Sequence, residues 1–287
     1  LGTAWAEGSK VTYTVGGTYL LHSSEVGKWT AFVNTSTSFL IQAGNQQNPK
    51  DFTGFPTVAA LRAFVDTVTP NPIDPQTGKG HEVGIRFARA DGLFRAEVVA
   101  FQQERANIAR TFFVRESNVA GVTSEQLITS YQLASGREQS EGVEVSFDWN
   151  PSRSLAMYAS ALISNGEVKS NPEAPEEVGF RLVRSPEKTG NIWIRYSPVA
   201  GALQGFSLGI GGSFRSATRT YPNLEDRYRL SDEYVLARAL VAYKFGSGKA
   251  QHTISLNVDN LLDDEYVDES AVLSEPRIYR LNYAIAW

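Results

Sequence analysis

Arg86, Arg195, Arg238 and Arg280 each stand on the polar side of a segment whose alternate residues are apolar, and Trp193 shares its side with Arg195. Guanidinium groups gathered on one face would attract an anionic ligand, and aromatic faces would stack on its rings. Phe52, Phe112, Phe113, Phe180, Tyr221 and Tyr228 fall in the intervening connections and could add such stacking contacts. The competing reading is that these side chains only line or brace a wall, with Glu82, Glu97 and Glu144 pairing with the arginines. Both readings describe recognition rather than bond-making. His22, His81 and His252 lie at the ends of different segments, so no serine–histidine–acid set can converge and no catalytic residue is expected. Gly209, Gly211 and Gly212 sit inside an alternating segment and imply no phosphate-cradling loop. Asp259, Asp263, Asp264, Glu265, Asp268 and Glu269 could hold calcium through oxygen ligands, but a solvated loop is the favoured account of them, so no metal or cofactor is expected.

Composition narrows the setting. The absence of cysteine removes disulfides, thiolate metal sites and cysteine nucleophiles together. With 27 basic and 31 acidic residues there is no basic stripe for phosphate neutralisation, and nucleic acid is not an expected partner. The chain of 287 residues is 42% hydrophobic and 20% charged, the average of an ordinary globule. Its longest apolar runs, such as 155–159 and 283–287, are five residues, so no transmembrane helix exists in the sequence. The chain opens at Leu1 without a signal sequence, which suggests that an export signal was removed or that an N-terminal part is missing.

The elements that must position the arginines are strands. Period-2 alternation recurs along the whole chain, as in Val83, Ile85, Phe87, then Val143, Val145, Phe147, Trp149, and finally Tyr279, Leu281, Tyr283, Ile285, Trp287. The opposite positions are polar and charged, and the apolar sets contain no Lys, Arg, Asp or Glu. Eleven strands are expected, near 10–21, 30–40, 81–89, 93–107, 137–149, 155–164, 189–196, 206–214, 234–245, 252–260 and 278–287. Connections alternate strictly: short at 22–29, 90–92, 150–154, 197–205 and 246–251, long at 41–80, 108–136, 165–188, 215–233 and 261–277. A soluble all-β domain has no reason to place every long connection at one end. An outer-membrane barrel does, because its periplasmic turns are short and its extracellular loops long. Its strands face lipid on one side and lumen on the other, so an all-β transmembrane antiparallel barrel in contact with outer-membrane lipid is expected. Two long connections show helical patterns: Val58, Leu61, Val65 and Val68 behind a cap at Thr57, and a capping box at Thr123 to Gln126.

The C-terminus is more specific. NVDNLLDDEYVDE (257–269) followed by EPRIYRLNYAIAW (275–287) resembles the end of TonB-dependent outer-membrane receptors, through Asn260, Leu261, Leu262, Asp263, Tyr266, Pro276, Arg277 and a terminal aromatic, here Trp287. TGKGHEVGIRF (77–87) and the Ser-Glu-Gly-Val-Glu hairpin within 134–164 are also similar to that family. The family more often ends in Phe than in Trp. The resemblance implies a barrel of about 22 strands behind a plug domain. Residues 1–287 are then the C-terminal part of that barrel, with the plug, the N-terminal half-barrel and the energy-coupling box outside this chain. It further implies energised uptake of a scarce nutrient, with a ferric siderophore as the leading small-molecule ligand and TonB as a partner through the missing N-terminal region. A complete small barrel acting as a passive channel is the alternative. The last strand, Tyr279, Leu281, Tyr283, Ile285 and Trp287, resembles the signal read by the outer-membrane barrel assembly machinery, although an aromatic girdle would use the same residues.

Overall fold

The computed structural model describes residues 10–42, 44–69, 71–219, 231–268 and 270–287. In chain order the strands are β1 (Thr14–Ser23), β2 (Gly27–Leu40), β3 (Asn45–Gln46), β4 (Asn71–Pro72), β5 (Gln76–Arg89), β6 (Phe94–Arg115) and β7 (Leu127–Ser152). They continue as β8 (Leu155–Ser170), β9 (Lys188–Tyr196), β10 (Phe206–Arg215), β11 (Tyr234–Ser247), β12 (Ala250–Asp259) and β13 (Ile278–Ala286). Among the described residues there is one α-helix, α1 (Val58–Val65), between β3 and β4, besides three single-turn 3-10 segments. Eleven strands make one antiparallel wall in the order β1-β2-β5-β6-β7-β8-β9-β10-β11-β12-β13, while β3 pairs with β4 and touches β7. Each wall strand pairs with its neighbours in sequence, as hairpin connections require. Among the described residues β1 pairs only with β2 and β13 only with β12, so the sheet has two open edges.

The eleven expected strands are these eleven, but two expected extents change. The connection expected at 108–136 is mostly ladder: β6 and β7 stay paired from Ile108↔Gly136 to Arg115↔Leu127. The alternation was lost to view because the register shifts at Asn107, which takes a left-handed conformation (φ 58°). One extra residue there resets which positions face inward. Likewise β8 runs on to Ser170 instead of ending near 164.

The helix expected behind Thr57 is present, and the Thr57 hydroxyl accepts a hydrogen bond from the Ala60 N–H (3.2 Å). The second expected helix, at Thr123 to Gln126, is absent: those residues form an irregular turn in which Gln126 C=O accepts from Glu116 N–H (3.0 Å) and leads into β7. Ladder pairing from Leu127 onward engages the backbone groups that a helix would need.

Among the described residues the membrane-spanning wall has no core of its own. Its apolar face is bare, with Leu281 75%, Ile163 62% and Ile210 56% exposed. A contiguous apolar face of this extent is tenable only against lipid. At the short-turn end this face carries rings in near contact: Trp29–Phe87 (4.8 Å), Phe87–Phe94 (6.0 Å), Phe206–Tyr243 (4.6 Å), Tyr243–Phe245 (5.6 Å), Phe245–His252 (5.0 Å) and His252–Tyr283 (5.9 Å). That is an interfacial aromatic belt. The buried apolar core lies beyond the other end, where Phe52, Leu61, Phe112, Val114 and Val119 pack α1 against the projecting β6–β7 hairpin.

Candidate functional site

The polar face of the wall holds the four arginines singled out in the sequence, and cross-strand register decides what each can do. Arg86 (β5) pairs with Glu97 on β6, directly opposite in the ladder, and its guanidinium lies 5.3 Å from the centre of the Phe32 ring. Arg238 (β11) and Arg280 (β13) converge on one carboxylate, Asp259 of β12, with Arg238 at 3.4 Å. These three are braces between neighbouring strands, each neutralised in place. Higher up, Glu138 receives both Arg105 and Arg110 (2.9 Å for the latter) across the β6–β7 ladder. Arg195 (β9) is exposed and has no carboxylate partner among the described residues.

Trp193 and Arg195 do share the polar face, two residues apart on β9. The indole lies over the next strand because that strand offers no side chain there: Trp193 pairs with Gly211 and Arg195 with Gly209. A Cβ built on Gly211 would meet the indole Cε3 at 2.6 Å, so any larger residue would lift the ring off the wall. On its other side Trp193 pairs with Tyr158 of β8, which is 46% exposed. The glycines that ruled out a phosphate loop therefore have a use that only the register reveals.

The connection aromatics divide. Phe52 and Phe112, expected to offer rings to a ligand, are instead 0% and 4% exposed at the centre of the α1–hairpin core. Phe52 stacks on Tyr131 at 5.2 Å and Phe112 lies 5.8 Å from the same ring, so their faces are taken. Phe113, on the opposite side of β6, is half exposed with the Arg115 guanidinium 5.3 Å from its ring centre. Phe180 is covered by Arg219 at 5.1 Å. Tyr221 and Tyr228 lie outside the described residues.

At the hairpin tip Glu116 bonds the Arg62 guanidinium of α1 (2.8 Å). The Ser124 hydroxyl first, and Arg62 second, hold the Glu116 carboxyl below the usual carboxylate range. Burial pushes the Glu173 carboxyl up in the β8–β9 connection, where Asn171 donates to Glu177 (2.9 Å) and Glu177 faces Arg219 (3.6 Å).

The C-terminal motif closes a loop. Asn260 is 3% exposed in the left-handed conformation (φ 49°) that Asn tolerates best after Gly. Its amide donates to Asp264 C=O (2.9 Å) and Glu275 C=O (3.0 Å) and accepts from Asp264 N–H (3.1 Å). Asp263 accepts from Arg277 N–H (2.8 Å), and the Arg277 guanidinium is raised in pKa chiefly by its hydrogen bond to Tyr279. Leu261 N–H donates to Ala237 C=O (2.8 Å), tying the motif to β11. Tyr266 stacks on Tyr234 at 3.9 Å, and with Pro276 both line a hollow of about 390 Å³. Within the acidic run, Asp259 is taken by arginines and Asp268 accepts from Ser270 and Val272 N–H (2.8 and 2.9 Å), while Glu269 lies outside the described residues. Tyr279, Leu281, Tyr283, Ile285 and Trp287 all stand exposed on the apolar face, Trp287 at 90%.

Comparison with known proteins gives a consistent result. The profile described as TonB dependent receptor-like, beta-barrel matches residues 2–261. The ferrioxamine B receptor of Salmonella typhimurium is 25% identical over 272 residues, covering 89% of this chain and 35% of that receptor. The metal-pseudopaline receptor CntO of Pseudomonas aeruginosa is 23% identical over 197 residues, covering 69% of this chain and 25% of its own length. Among solved structures, the ferric-catecholate import receptor Fiu of Escherichia coli K12 superposes with a TM-score of 0.65 at 18% identity, over 96% of this chain and 34% of Fiu. The chain spans about a third of the length of such relatives.

Proposed function

The chain belongs to the TonB-dependent receptor β-barrel family, and from that premise we propose that it is the C-terminal part of the barrel of an outer-membrane receptor for a ferric siderophore. The whole receptor takes the chelate up by energised transport. Family members and relatives are receptors of the Gram-negative outer membrane, not enzymes. The observation that carries the ligand class is that relatives over most of the chain are named as receptors for ferrioxamine B and for a metal–pseudopaline complex. The two open sheet edges support the view that further strands complete the wall, since an unpaired edge in lipid leaves backbone groups without partners.

In this reading each face of the wall has one task. The apolar face and its aromatic belt hold the barrel in the bilayer. The arginine–carboxylate pairs on the polar face lock neighbouring strands while keeping the lumen hydrated. The β6–β7 hairpin, stiffened by α1, raises a firm rim with Phe113 and Arg115 beside the entrance. TonB acts through a plug region outside this chain. Growth of a receptor-deleted strain under iron limitation, supplied with single siderophores, tests the proposal. Loss of growth on one siderophore, restored by the intact gene, is expected; growth indifferent to iron supply would remove the siderophore assignment.

A further inference from the structure

The long connections of the wall are tied to one another. Beyond the last ladder pair of β9 and β10, Thr189↔Arg215, the two segments stay together: Ser216 N–H donates to Lys188 C=O (2.9 Å), Lys188 N–H donates to the Ser216 hydroxyl (3.0 Å) and Arg184 N–H donates to Arg219 C=O (2.8 Å). Glu177, on the same connection as Arg184, reaches the same place. Glu177 and Arg219 are 6% and 4% exposed and form an ion pair at 3.6 Å. The Asn171 amide donates to the Glu177 carboxylate (2.9 Å), and the Arg219 guanidinium lies 5.1 Å from the centre of the Phe180 ring. Removing one charge of such a buried pair strands the other away from water, which loosens whatever the pair holds together.

The chain of contacts goes on. Ser231 N–H donates to Thr218 C=O (2.8 Å) and Thr218 N–H to the Ser231 hydroxyl (3.0 Å), and both residues are buried. Asp232 N–H donates to Val267 C=O (2.9 Å), while the Asp232 carboxylate accepts from Val267 N–H (2.7 Å). The described residues of the connections after β8, β10 and β12 are therefore linked in series. Those after β2 and β6 instead share the α1–hairpin core. Between the two groups lies a hollow of about 470 Å³, with Arg110, Thr111 and Phe113 on the hairpin side and Asn171, Glu173 and Ala174 on the other. Among the described residues no ion pair crosses it: Arg110 is held by Glu138 and Arg115 by Glu125 (3.7 Å), both within the hairpin and its strands. Segments that share buried contacts open together, and a seam without such contacts separates them.

We propose that the extracellular rim formed by this chain is built as two stiff bodies, and that the buried Glu177–Arg219 pair is the lock that makes the connections after β8 and β10 a single body. A displacement of either connection is carried to the other, and relative motion falls on the hollow beside the hairpin. The lock goes beyond the uptake reading and is independent of which ligand is carried.

The test compares the intact receptor, purified in detergent, with its E177Q and R219M variants by hydrogen–deuterium exchange of backbone amides. Each substitution alters one connection only, yet each should speed exchange by roughly tenfold in both 171–187 and 216–219. Exchange in α1 and in 108–115 should stay within about twofold of wild type. E177L/R219M, which removes both charges together, should exchange more slowly than R219M in both connections. Unchanged heat-modifiable migration establishes that the barrel of each variant is folded. Faster exchange confined to the substituted connection overturns the lock, because the two connections then open separately. Faster exchange that spreads equally into α1 and 108–115 overturns the division into two bodies. Wild-type exchange in both connections of E177Q and R219M shows that the pair holds nothing together and overturns the proposal.

Discussion

At the scale of single residues, sequence showed which face each arginine occupies but not which are free. Period-2 alternation puts Arg86, Arg195, Arg238 and Arg280 on one polar side. Their availability depends on register, which sets the residue opposite, and register comes from turns and packing that no single segment reveals. Glu97 falls opposite Arg86, Asp259 between Arg238 and Arg280, and glycine opposite Arg195. The Glu116 carboxylate, held by the Ser124 hydroxyl and then by Arg62, stabilises the hairpin tip in a pH-dependent way. Its folded pKa lies below the usual value of 4.5, so the stability it gives to the hairpin tip is fully present above that value and is lost as pH falls through the lower folded one. Protease sensitivity of the tip should therefore rise only in acid, and Glu116→Gln should already show the raised sensitivity at neutral pH. An acid profile identical in the variant and the wild type would show that another group controls the tip.

At the scale of elements, the strands were legible because each has one lipid-facing and one lumen-facing side, while the loops were not. The helix behind Thr57 was visible from its cap and spacing, but the residues it packs against come from a hairpin whose alternation is interrupted at Asn107. Phe112 thus looked like a free loop aromatic when its position in β6 makes it core. The same core makes a sharp prediction. Leu61 is fully buried, and Leu61→Ala should cost about 2–5 kcal/mol locally. The cost should appear as proteolysis within 44–69 and at the hairpin tip, with the heat-modifiable migration of the barrel unchanged. Protection equal to wild type would mean that α1 does not depend on this packing.

At the scale of the whole molecule, an average composition concealed the membrane, because a wall with one apolar and one polar face averages to an ordinary globule. The bare apolar face, the aromatic belt at the short-turn end and the edges of β1 and β13, unpaired among the described residues, remove that ambiguity. Trp287 directly follows β13 and stands on the lipid side at 90% exposure. Its deletion from the intact receptor should lower the amount reaching the outer membrane, and Trp287→Phe should restore it, if the terminal aromatic is the group read during assembly. Normal levels after deletion would leave it as a belt residue alone.

The proposal that matters most is energised uptake of an iron chelate, and radioiron accumulation measures it directly. Cells whose only receptor is the intact protein should accumulate radioiron from its siderophore and stop when the proton-motive force is collapsed. Accumulation that matches the receptor-deleted strain, or that continues after collapse as through a passive channel, would contradict it.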